Sequence, residues 1–85
     1  MKIKLYAIKD KRIEFGPLYE DKNDASALRN FAELIAKGDS MANRYPEDFE
    51  LYYMGEYDRD TGEVKSEVRY MDTAKNYISE KKEEK

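Results

Sequence analysis

Five residues could do chemistry of a recognisable kind. Lys2, Lys4 and Arg12 are cations near the start of the chain that can meet phosphate, and Tyr6 and Tyr52 are planar rings that can stack on unpaired bases. Their joint chemistry would be capture of a single-stranded nucleic acid, in which stacking contributes about 1–3 kcal/mol per base while the cations follow the backbone. The acids offer less. Glu47, Asp48 and Glu50 lie close together, but carboxylates beside a proline such as Pro46 more often cap turns than act as an acid and base pair, and Glu50 falls on an outward strand position. Asp58-x-Asp60-x-Gly62 begins like a calcium loop; such a loop needs Gly at its sixth position and Glu at its twelfth, where this chain has Glu63 and Arg69, so a plain turn is the better reading. With no His and no Cys, the commonest general base and metal ligand, thiolate chemistry and disulfides are all excluded. There is no Gly-rich phosphate loop and no nucleophile elbow. The expectation is a binding protein that is not an enzyme and uses no cofactor and no metal.

The elements that must position these residues follow from periodicity. Ile3, Leu5 and Ala7 alternate with Lys2, Lys4, Tyr6 and Ile8, which is the period of a half-buried strand. After Asp10-Lys11-Arg12, Ile13 and Phe15 restart an alternating run that Gly16-Pro17 interrupts, so the second strand is an edge or bulged one. Asn23 or Asp24 caps a helix whose Leu28, Phe31, Ala32 and Ile35 recur at helical spacing, with Leu34 widening the stripe and Gly38 placed to stop it. Residues 39–48 form a loop with a helical turn around Met41-Ala42-Asn43, and Pro46 keeps Tyr45 out of the helical region. Phe49, Leu51, Tyr53 and Tyr57 then alternate with Glu50, Tyr52, Met54 and Glu56, and a second run follows through Val64, Val68 and Tyr70. Asp58 to Gly62 joins the two as a hairpin, with Gly62 suited to positive φ. Ala74, Tyr77 and Ile78 permit a short C-terminal helix.

The sum is an α+β fold, ββαββ: a small antiparallel sheet with one helix packed on one face, forming a single domain over residues 1–78. Residues 79–85 are nearly all Glu and Lys and read as a disordered tail. One helix covers one face of the sheet. If Tyr6, Ile8, Tyr52 and Met54 point away from Ile3, Leu5, Leu51 and Tyr53, the second face is also apolar and must be covered. Three solutions are open: closure by the C-terminal segment through Tyr77 and Ile78 or by a two-fold homodimer, a platform for nucleic acid, or a groove for another protein. The interface residues expected are therefore Ile8, Tyr52, Met54, Tyr77 and Ile78.

At 85 residues only roughly 60% of the unfolded surface is buried on folding, which favours self-association. Eight Tyr and three Phe are more than a disordered chain would carry, so the centre folds. The net charge of -3 argues against nonspecific DNA binding, yet it hides a polarity. Five bases stand against Asp10 between Met1 and Arg12, and seven acids against Arg59 between Pro46 and Val64. That polarity can steer two copies, or a charged partner, together. No apolar run approaches a membrane span and the N-terminus lacks a signal-peptide core, so the expected location is the cytosol, away from membrane.

In order along the chain, Lys4-Leu5-Tyr6-Ala7-Ile8-Lys9-Asp10, the helix opening Asp24-Ala25-Ser26-Ala27, Asp39-Ser40-Met41, Pro46-Glu47-Asp48-Phe49-Glu50-Leu51, and Gly55-Glu56-Tyr57-Asp58 through Thr61-Gly62 give the sequence a family likeness. It resembles the small nonstructural protein of gokushoviruses, tailless single-stranded DNA phages of the microvirus group. The resemblance spans approximately residues 2–64 and is least from Lys65 onward. It implies a nonstructural phage protein that binds DNA and assists the switch from double-stranded replication to single-stranded genome synthesis and packaging. It carries over no catalytic motif and no binding residue. The alternative is a protein-interaction module that contacts a viral or host replication protein through its acidic hairpin, with Glu50, Glu56 or Asp58 as the sensitive positions.

Overall fold

The computed structural model describes residues 1–78; the expected tail at 79–85 lies outside the described residues. Strand β1 (Lys2–Asp10) is central, flanked on one edge by two short strands, β2 (Glu14–Phe15) and β3 (Tyr19–Asp21), and on the other by β4 (Phe49–Asp58), which pairs in turn with β5 (Val64–Thr73). All pairings are antiparallel. The expected second strand is thus two pieces, because Pro17 cannot donate to the ladder. Gly16 still donates its N–H to the Ile8 carbonyl at 2.8 Å, and a Cβ there would lie 3.1 Å from that oxygen.

Helix α1 (Asp24–Ala36) opens where Asn23 accepts a hydrogen bond from the Ser26 N–H at 2.8 Å. Its buried stripe is Ala27, Phe31 and Ile35, with Leu28 at the margin of the core, so the core-facing side is turned slightly from the one expected. Gly38 does not act as a left-handed cap: Lys37 leaves the helix in an extended conformation, and positive φ occurs at Gly55 and Gly62. The end of α1 is instead held by the short helix α2 (Met41–Arg44), whose Asn43 amide donates to the Ile35 carbonyl at 2.7 Å. A 3-10 turn (Pro46–Asp48) leads into β4, and a second (Ala74–Tyr77) takes the place of the short C-terminal helix.

The largest correction concerns which face each strand shows. Tyr6 stands opposite Tyr53, Ile8 opposite Leu51, and Ala7 opposite Tyr52. Paired residues share a face, so Tyr6, Ile8, Leu51 and Tyr53 all lie under the helix, and Leu5, Ala7 and Tyr52 lie on the other side. Alternation within each strand is as expected; the phase between strands is not. Tyr6, Phe31, Ile35 and Leu51 are the largest wholly buried side chains. The C-terminal segment closes this same side. The Phe31 and Tyr77 rings meet edge to face at 5.7 Å, and Ala74 and Ile78 are buried in the core. Tyr77 and Ile78 therefore leave the second face of the sheet open.

Tyr77 is held by its hydroxyl, which donates to Asp72 Oδ2 at 2.6 Å; the Asn76 amide donates to Asp72 Oδ1 at 2.7 Å. Burial works to raise the Asp72 carboxyl, but these donors and the Thr73 N–H outweigh it and hold it below its ordinary value. Burial first, and Asp72 second, push the Tyr77 hydroxyl up to about 12. The Asp72 contribution is present above the ordinary carboxylate pKa and lost as pH falls through the depressed one. The Tyr77 contribution is full below the ordinary phenol value of about 10 and lost as pH rises through its raised one.

Chemical-denaturation midpoints measured across pH should accordingly decline toward both extremes. Tyr77→Phe should cost about 1 kcal/mol at neutral pH and make the alkaline decline shallower; an unchanged alkaline arm would contradict this account. A second expectation concerns Gly55, at φ 130°, where a Cβ would sit 2.0 Å from the Lys65 carbonyl oxygen. Gly55→Ala should lose about 2–4 kcal/mol, read as a lower urea midpoint, whereas a wild-type midpoint would show that the strand relaxes freely.

Candidate nucleic-acid interface

The open face of the sheet is built by register. Lys9 on β1 pairs with Phe15 on β2 and with Glu50 on β4, while Tyr52 on β4 pairs with Ala7 on β1 and Tyr70 on β5. The result is a row of rings crossing the sheet. Phe15 and Tyr52 meet at 5.0 Å between centroids and Tyr52 and Tyr70 at 5.8 Å, both nearly perpendicular. Lys9 Nζ lies 5.1 Å from the Phe15 centroid and 5.9 Å from that of Tyr52. Tyr70 is 50% exposed and Phe15 37%. Val64, Val68 and Tyr57 continue the exposed apolar surface toward the hairpin.

The Tyr52 hydroxyl and the Glu50 carboxylate beside this row are already engaged. The Tyr52 hydroxyl donates to Glu50 Oε1 at 3.3 Å, and Lys11 Nζ lies 3.6 Å from Glu50 Oε2. Burial, then Glu50, raises the Tyr52 hydroxyl above its ordinary pKa; burial, then Asp72 and Glu50, does so for Tyr70. Both stay protonated at neutral pH.

The five residues expected to bind nucleic acid do not converge. Tyr52 is on the open face. Tyr6 is wholly buried under α1, its hydroxyl donating to Asp24 Oδ1 at 2.7 Å, so it offers no ring to a base. Lys4 lies on the helix side, with Nζ 5.9 Å from the Tyr53 centroid and its backbone opposite Asp21 and Glu56. Lys2 stands opposite Asp58, and Arg12, in the turn after β1, pairs with Asp48 at 3.9 Å. Among the expected interface residues, Ile8, Tyr77 and Ile78 belong to the helix side, Met54 is half-buried beside an irregularity in β4, and Tyr52 alone belongs to the open apolar row.

The same register absorbs the charge polarity. Antiparallel pairing sets Lys2 against Asp58, Lys4 against Glu56 and Lys9 against Glu50, so the basic and acidic segments neutralise each other along one ladder. In the hairpin, Asp58 accepts from the Asp60 N–H at 2.9 Å and pairs with the Met1 amino group at 3.3 Å; these contacts, the Asp60 N–H foremost, hold its carboxyl below the ordinary value. Asp60 also pairs with the Met1 amino group, and Arg59 binds both oxygens of Glu20, the nearer at 2.9 Å. Gly62, at φ 82°, completes the turn. Among the described residues no group of three or more acids is placed to hold a metal ion, and no helix is long and apolar enough to cross a membrane.

Sequence reasoning missed Phe15, Lys9 and Tyr70. The signal for Lys9 and Phe15 is the turn between them, which sets them opposite each other; Tyr70 carries no such signal, because irregularities in the β4–β5 ladder shift its partner.

One protein-family model, described as Phage ORF5 protein, matches residues 3–77. The match runs through β5 and the C-terminal turn, beyond the stretch in which the sequence resemblance is strongest. No curated protein and no solved structure matches the chain.

Because Tyr6 is core, its substitutions report on folding. Tyr6→Ala should lose about 3–5 kcal/mol, by analogy with other buried aromatic truncations, and Tyr6→Phe about 1–2 for the lost hydrogen bond to Asp24. Thermal melts read this directly, and a Tyr6→Ala protein melting like wild type would contradict the burial.

Proposed function

Because the chain belongs to the Phage ORF5 protein family, we propose that it is a phage nonstructural protein that binds single-stranded DNA on the open face of its sheet. It acts there by binding alone, as a non-enzyme, in the host cytoplasm. The likeness to gokushovirus proteins gives this binding its purpose: assisting the switch from double-stranded replication to single-stranded genome synthesis and packaging.

The observation that carries the reading is the exposed row of Phe15, Tyr52 and Tyr70 with Lys9 beside it. The rings meet edge to face, so none lies flat on its neighbour and ring surface remains for bases. Lys9 also stands opposite an acid, Glu50, but that carboxylate is engaged by Lys11 and the Tyr52 hydroxyl while the Lys9 ammonium lies over the Phe15 ring, so Lys9 is the cation placed to meet a phosphate next to a stacked base. Lys2, Lys4 and Arg12 face carboxylates, and the chain is net negative, so binding is led by stacking and only mildly salt-dependent. The alternative, recognition of a replication protein through the acidic hairpin, is less favoured because Glu50, Glu56 and Asp58 already face Lys11, Lys4 and the Met1 amino group.

Fluorescence anisotropy of a labelled single-stranded oligonucleotide tests this. Tyr52→Ala and Phe15→Ala should each weaken binding by between about 5- and 150-fold, the equivalent of one stacked base, while Lys2→Glu changes it little. Anisotropy that stays flat at both low and physiological salt would sink the reading and turn the search toward a protein partner.

A further inference from the structure

Among the described residues strand β5 is the outer strand of the sheet, hydrogen-bonded to β4 on one side, and every residue from Val64 to Tyr70 is exposed. It contains neither Pro nor Gly, two of the residues that blunt an edge. Charges and β-bulges are other common devices: between Val64 and Tyr70 the strand carries three charges, Lys65, Glu67 and Arg69, which alternate in sign along its helix-side face, and its ladder with β4 is irregular between Ser66 and Arg69. From Val64 to Tyr70 the open face of β5 carries Val64, Ser66, Val68 and Tyr70. The alternating signs do not simply repel a second strand. They sort its registers.

The geometry points to a second copy of this chain as the occupant of that edge, joined by antiparallel β5–β5 pairing about a two-fold axis at Val68. A two-fold axis between residues would set the apolar face of one copy against the charged face of the other, so the axis must pass through a residue. At Glu67 it would place Glu67 against Glu67 and Lys65 against Arg69, and at Arg69 it would place Arg69 against itself; like charges directly opposite are destabilising. At Ser66 the signs agree, but Tyr70 and Arg69 run past the start of the partner's strand. At Val68, each Glu67 meets the partner's Arg69, each Ser66 meets the partner's Tyr70, and Val68 meets the partner's Val68. Arg69 already meets Asp24 at 3.4 Å and lies over the Tyr53 ring at 4.6 Å, and its 45% exposure leaves guanidinium surface for this further contact. The two sheets become one, and the two aromatic rows lie on one continuous surface. This assembly does not depend on DNA binding and stands or falls separately.

The absence of native cysteine makes the register directly readable. Antiparallel residues facing themselves across a two-fold axis have Cα atoms within disulfide range. Under mild oxidation Val68→Cys should cross-link into a covalent dimer and Ser66→Cys should not; the reverse result, or no cross-link at either site, overturns the proposal. Light-scattering mass should show the unmodified chain at twice its monomer mass. Val68→Lys, a change at an exposed position that leaves the core untouched, should raise the dissociation constant at least about tenfold. A wild-type chain that is monomeric at all concentrations, or a Val68→Lys chain that dimerises as well as wild type, overturns it too. Glu67→Lys should weaken the dimer and Glu67→Lys with Arg69→Glu should restore it; rescue by Lys65→Glu instead would mark the Ser66 register and exclude the one proposed.

Discussion

The pairing of β1 with β4 is the constraint on which the rest depends. Sliding one strand by a single residue would carry Tyr6 and Ile8 out of the core and put Lys9 and Ala7 beneath the helix. The register that avoids this also sets three lysines of β1 against three acids of β4. Hydrophobic burial and charge pairing thus select the same alignment, and agreement between levels is what gives a small chain one structure. Burial of Tyr6 and Leu51 supplies most of the energy, since a fully buried large side chain contributes about 1.5–3 kcal/mol and an exposed ion pair less than about 1.

Asp24 joins this ladder to the helix. It lies in the first turn of α1, where a carboxylate is favoured by the helix dipole, and it accepts from Tyr6 on β1 while meeting Arg69 of β5 at 3.4 Å. One side chain therefore ties the helix to the central strand and to the outer one. Asn43 does the corresponding work at the far end of α1, through the Ile35 carbonyl. With both ends fixed, α1 covers one side of the sheet, and among the described residues the other side is bare.

The elements were legible in the sequence because their signals are local. Asn23 capping α1, the helical turn at Met41, the Asp58–Gly62 hairpin and the break at Gly16-Pro17 are each set by a few neighbouring residues. The candidate site was only half legible, because a surface made by four strands depends on how they align. Periodicity fixes which residues of one strand share a side; it carries nothing about which side of the next strand joins them. Counting back from the turn, where Tyr57 pairs with Val64, places Arg69 opposite Tyr52. The irregularity between Tyr53 and Gly55 moves Tyr70 into that place instead. The misassigned face of Tyr6, and with it the loss of Lys4 and Tyr6 as ligands for DNA, has the same origin.

The central position of β1 also bears on how the chain reaches this state. The hairpin of β4 and β5 and the helix α1 close through short loops, but β1 meets β4 only after the whole intervening sequence has been brought round, from Asp10 opposite Phe49 to Lys2 opposite Asp58. Closing that loop costs more entropy than closing the hairpin, and topologies rich in such distant pairings fold slowly. Until β1 docks, β4 presents an unpaired edge and the apolar side chains of α1 have no sheet to rest on, which is the situation in which partly folded chains associate wrongly. The strand that organises the native sheet is therefore the one whose pairing closes the longest loop between strands.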